Sequence, residues 1–206
     1  MNLKYLLVLR YSLMNLVGLV FLIVLVTQGY VVEAIKADVT YIVLIILFLF
    51  LIGLTLATLK TVWISREINF TYESQLKKDS VAFHYLKNKP KDAAARRNYT
   101  AALRIKLANK INYIRFIANT LVILGLIGTV IGFIIALSGV DKSVSSNPEE
   151  ISKMVSTLIQ GMSVALYTTL AGSIFSVWLN ICFQILSTGA NRLLSRIIEM
   201  GEVNDR

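Results

Sequence analysis

Four stretches of this 206-residue chain run without a charged residue for at least the length of a membrane-crossing helix. They are Tyr11–Val32, Thr40–Leu59, Phe116–Val140 and Met154–Asn191. A globular domain has no use for so much contiguous apolar surface. The pattern predicts an all-α, polytopic membrane protein with four transmembrane helices. The fourth run covers 38 positions, roughly 57 Å as a helix, against a hydrocarbon core of about 30 Å. The long third and fourth helices are therefore expected to extend into the cytoplasm. The first run is read as a retained span, not a cleaved leader, because it exceeds a usual leader core.

The +9 net charge is concentrated in one place. Between Trp63 and Phe116 stand twelve Lys and Arg residues against four Asp and Glu. A basic segment between apolar runs is what a cytoplasmic loop carries, and no nucleic-acid partner is expected. Both termini then lie inside. The connectors Thr27–Val39 and Asp141–Glu150 lie outside. Within the basic segment, Asn88-Lys89-Pro90-Lys91 breaks two helix-compatible stretches. The second of these leads directly into the third span. Asn147-Pro148-Glu149-Glu150 has the form of a helix start. Cys182 and His84 are single and far apart, so neither a disulfide nor a metal cluster is expected.

The last two runs give up bulk on one side. At 100° per residue, Gly125, Gly128, Thr129, Gly132 and Ala136 fall within roughly a 100° arc. Gly161, Ala165, Thr168, Thr169, Gly172, Ser176 and Asn180 fall within about 120°. Such faces either form a tight helix seam or receive another helix, because small residues let backbones approach. Thr129 and Thr169 come to a comparable depth. Neither run contains Asp, Glu, His, Lys or Arg. Proton relays inside membranes need a titratable group, so a proton path here needs an acid from another chain.

Two segments carry a family resemblance. Leu124-Gly125-Leu126-Ile127-Gly128-Thr129-Val130-Ile131-Gly132 resembles one signature of the MotA/TolQ/ExbB proton channel family, and Gly161-Met162-Ser163-Val164-Ala165-Leu166-Tyr167-Thr168-Thr169-Leu170-Ala171-Gly172 resembles the other. The likeness spans roughly Thr120 to Gln184. It implies a homopentamer around a dimer of a single-span subunit, similar to ExbD, TolR or MotB, that carries a membrane aspartate. By position, Thr129 and Thr169 match pore-facing threonines, with Thr168 beside them. The small residues, Ser176 and Asn180 included, would form the face packed by the partner helix. Ser176-Val177-Trp178 replaces the family's proline turn, and Val164 stands where many members carry an acid.

The expected organisation is a two-span hairpin at 1–62, a basic cytoplasmic helical loop at 63–115, a channel domain at 116–186 and a cytoplasmic helix end at 187–206. The expected function is a stator-type subunit that couples an ion gradient to mechanical work. The alternative is a non-conducting oligomeric scaffold. An enzyme is not expected, since no phosphate-binding glycine loop or paired carboxylate site is present. No cofactor is expected. The transported ion is taken as H⁺, with Na⁺ open, and the driven process is not specified by the residues.

Overall fold

The computed structural model describes residues 6–72, 80–90, 92–140 and 148–203. Among these residues six helices account for the regular structure: α1 (Leu6–Thr27), α2 (Tyr30–Ala37), α3 (Ile42–Phe70), α4 (Val81–Lys87), α5 (Ala93–Val140) and α6 (Pro148–Val203). Among the described residues there is no strand. α1, α3, α5 and α6 are long and apolar enough to cross a membrane. α6 has 56 residues, roughly 84 Å of helix. It begins at Pro148 with Glu149 and Glu150 in the first turn, where a helix N-terminus favours acids. The proposed cap Asn147, the segment 141–147 and Lys77, Lys78 and Lys91 lie outside the described residues.

The first apolar run is not one helix. α1 starts earlier than the run, at Leu6, and stops at Thr27. Gly29 then takes a left-handed conformation (φ 86°), which glycine adopts without steric strain. The connector expected after it folds as α2, with Glu33 in its first turn and Lys36 in its last, both favourable to the helix dipole.

The chain forms two compact units. They cut across the contiguous sequence segments because the long helices contribute to both. One contains Val17–Gly53 and Phe116–Asn180. Here Asp38 is buried at the entry to α3. Its carboxylate accepts from the Thr40 amide at 3.0 Å, the Thr40 hydroxyl at 2.6 Å and the Val43 amide at 2.6 Å. Those bonds compensate its removal from water. Phe50 stacks on Phe175 at 4.5 Å and tilts against Trp178 at 5.2 Å. Large aliphatic side chains such as Leu126, Val130, Ile134, Leu166 and Leu170 stay exposed, as lipid contact or assembly requires.

The other unit contains Met1–Leu16, Leu54–Arg115 and Ile181–Arg206. Its core is Ala82, Tyr85, Leu107, Leu193 and Ile197, flanked by Trp63, Tyr99 and Leu103. The short α4 is fixed at its start. Ser80 Oγ accepts from the Phe83 amide at 3.2 Å, and the Glu67 carboxylate accepts from the Val81 amide at 3.0 Å. After the break at Asn88–Pro90, Asp92 caps α5 by accepting from the Ala95 amide at 3.0 Å. Lys110 lies 4.4 Å over the Trp63 ring, a cation–π contact. The Tyr11 hydroxyl sits 2.9 Å from the Thr58 hydroxyl and ties α1 to α3.

Candidate functional site

The small faces of α5 and α6 meet each other. A Cβ placed on Gly132 would come within 2.6 Å of the Ala165 amide nitrogen and of the Gly161 carbonyl oxygen. One on Gly161 would run into the backbone at Ala136, and one on Gly172 would lie 2.6 Å from the Leu121 carbonyl oxygen. A Cβ on Gly125 would lie 3.2 Å from the Thr168 carbonyl oxygen and 3.3 Å from the Thr169 Cα, and one on Gly128 would overlap the Thr168 side chain. The seam extends one step further than the sequence arc, to Gly139 against Thr157. Close backbone approach is thus realised within one subunit, by packing that needs no hydrophobic driving force.

The three threonines separate by environment. Thr168 is fully buried, and its hydroxyl donates back to the Val164 carbonyl at 2.8 Å. Such a bond occupies the hydroxyl within its own helix. Thr129 and Thr169 are only half-buried. Their hydroxyls hydrogen-bond each other across the seam. Both also lie on the Gly125 carbonyl oxygen, Thr129 at 3.1 Å and Thr169 at 3.2 Å. Each hydroxyl has one proton and two acceptor lone pairs. Thr169 can donate to Thr129 while Thr129 donates to Gly125. That arrangement leaves lone pairs on Thr169 for a donor from outside. Turning either hydroxyl presents a donor instead.

The remaining predicted positions are satisfied locally. Ser176 is buried, and Asn180 donates to the Ser176 carbonyl at 3.1 Å and to its hydroxyl at 3.3 Å. Ala136 and Ala165 are buried in the seam. The site has no titratable side chain of its own. An acid that the sequence left in a connector, Glu33 of α2, contacts α6. The Tyr167 hydroxyl donates to the Glu33 carboxylate at 3.2 Å. Tyr167 lies roughly 160° around α6 from Thr169, so this contact is on another face. Nothing in the sequence pairs these two residues, because the contact depends on α2 being a helix.

The site can therefore accept or donate a hydrogen bond at the half-open edge of a sealed seam. It cannot hold a transferable proton by itself. The model of the MotA/TolQ/ExbB proton channel family matches residues 69–199, well over half of the chain. No curated protein and no solved structure matches it.

Proposed function

Because the chain belongs to the MotA/TolQ/ExbB proton channel family, and is a multi-pass membrane protein, we propose that it is the stator-type subunit of a proton-driven motor or energy-transducing channel. The observation that carries this reading is the Thr129–Thr169 hydroxyl pair on the Gly125 carbonyl, set in two spans that lack any charged residue. The missing acid comes from a single-span subunit of the ExbD, TolR or MotB kind. Two copies of it would sit within a homopentamer of this chain.

The pair suits an acid that alternates between two protonation states. A protonated carboxylic acid offers one donor, which Thr169 can accept. The ionised carboxylate needs donors, which the same hydroxyls supply by rotation. Contact with both states would let an aspartate gain and lose its proton beside the wall without a stranded polar group in lipid. The glycines then have a different task from the threonines. They hold α5 and α6 close enough for the two hydroxyls to meet. The basic segment lies on the cytoplasmic side, with both termini.

The test is proton flux into vesicles containing the subunit and its single-span partner. Thr129→Val with Thr169→Val is expected to cut flux by about tenfold or more, since each lost hydrogen bond is worth on the order of 1 kcal/mol. Undiminished flux together with undiminished work output overturns the proposal. The glycine packing favours one competing reading, a non-conducting scaffold held together by the seam. That reading predicts no conductance with any partner.

A further inference from the structure

We propose that the basic cavity bounded by α4, the start of α5 and the end of α6 binds a phosphate-bearing anion. The cavity measures about 590 Å³ and lies wholly within one compact unit. Four cations line it, Lys89, Arg96, Arg97 and Arg104, against one carboxylate, Glu202. Positive charge used only to orient a membrane protein has to be on the correct side. It does not have to converge. Here the segment after α4 and the start of α5 bring four like charges around one hollow that α6 closes with a single carboxylate, at a cost in mutual repulsion that a bound anion reduces.

The wall is built as well as charged. The Lys89 ammonium donates to the Gly201 carbonyl and joins the segment after α4 to the end of α6. The Tyr85 hydroxyl lies 2.8 Å from the Thr100 hydroxyl, and the Tyr85 ring stacks on Tyr99 at 5.4 Å. Arg97 and Arg104 are exposed and seven residues apart, so they share a face of α5. Among the described residues neither pairs with a carboxylate. Two guanidinium groups on one face present planar forks that match phosphate oxygens. Leu194 and Ile198 add an apolar wall. The volume falls in the range of small-molecule sites and exceeds what one phosphate fills. The ligand is thus a phosphate joined to a small organic group, whether a phospholipid headgroup or a soluble phosphorylated compound.

The site is independent of ion conduction, so its test needs no flux. The full chain in phosphatidylcholine nanodiscs is titrated with inorganic pyrophosphate by calorimetry. Saturable binding is expected, weaker at higher salt. Arg97→Gln with Arg104→Gln should weaken it by about tenfold. Arg97→Lys with Arg104→Lys should recover part of the loss. Arg66→Gln with Arg192→Gln removes the same charge outside the cavity and should leave binding unchanged. A second arm repeats the titration in phosphatidylglycerol nanodiscs. Loss of pyrophosphate binding there, restored by dilution with phosphatidylcholine, identifies the headgroup as the natural source. Undisturbed pyrophosphate binding identifies a soluble one. Equal weakening by the two glutamine pairs overturns the proposal, as does absence of pyrophosphate binding in phosphatidylcholine without cavity-dependent retention of phosphatidylglycerol. Tighter binding of a polyglutamate peptide than of pyrophosphate at the same residues also overturns it.

Discussion

Thr129 of α5 and Thr169 of α6 share a single acceptor, the Gly125 carbonyl oxygen, and hydrogen-bond each other beside it. With two protons and one carbonyl, either hydroxyl can donate to the other while that one donates to Gly125, and exchanging the order requires only rotation about the Cβ–Oγ1 bonds. The hydroxyl matters in this arrangement and the methyl does not. Thr169→Ser is therefore expected to keep proton flux within about twofold of wild type, whereas Thr169→Val loses about fivefold, the effect of about one hydrogen bond. Vesicle flux measurements on the two single variants, at equal assembly, check the ordering. Equal loss in both would assign the effect to side-chain shape.

The glycine seam makes a different prediction, about assembly and not flux. At Gly132 the atoms nearest a new Cβ belong to the backbone of Gly161 and Ala165, which cannot swing aside. Gly132→Leu must separate α5 from α6. Overpacking of this kind costs about 3 kcal/mol or more. Gly29 provides the contrast. It has φ +86° and nothing within 4 Å of a new Cβ, so Gly29→Ala meets only backbone strain, about 1–2 kcal/mol. Thermal unfolding in detergent should rank Gly132→Leu well below Gly29→Ala. Parity between the two would mean that the seam does not limit stability.

Spacing alone announced the four spans, because an uncharged run of that length has few other uses. It also announced two smooth faces, since Gly125, Gly128 and Gly132 recur at helical spacing, as do Gly161, Ala165 and Gly172. What each face meets is a tertiary matter, and a smooth face fits a helix of its own chain as well as a foreign one. Gly139 continues the arc and was legible in principle. The helix α2 was not, because eight residues around one acid and one lysine give too short a period to read. The motifs reach only from about Thr120, whereas the family match begins at residue 69 and takes in the basic segment. That segment lacks a short fixed motif, so its membership rests on a diffuse pattern. The convergence of Arg97 and Arg104 with α6 was likewise hidden, because it depends on where α6 ends up.

A last prediction concerns the first half of the chain, which carries no family motif. Gly18 of α1 lies against the indole ring of Trp178 on α6, and a Cβ on Gly18 would overlap three ring carbons. Trp178 is buried and also packs against Phe50, at 5.2 Å, so the ring has little room to retreat. Gly18→Leu should therefore destabilise the protein by about 2–3 kcal/mol, in the range of overpacked cores. Trp178→Ala alone should also destabilise, by about 3–5 kcal/mol, through the cavity it leaves. The two changes are complementary in volume, and residues in contact do not act additively. The double variant is expected to be more stable than Trp178→Ala alone, because the leucine refills part of the cavity. A thermal-unfolding double-mutant cycle in detergent measures the coupling directly. Additive losses would show that Gly18 and Trp178 do not pack in the protein as they do here, and that α1 is held to α6 by other contacts.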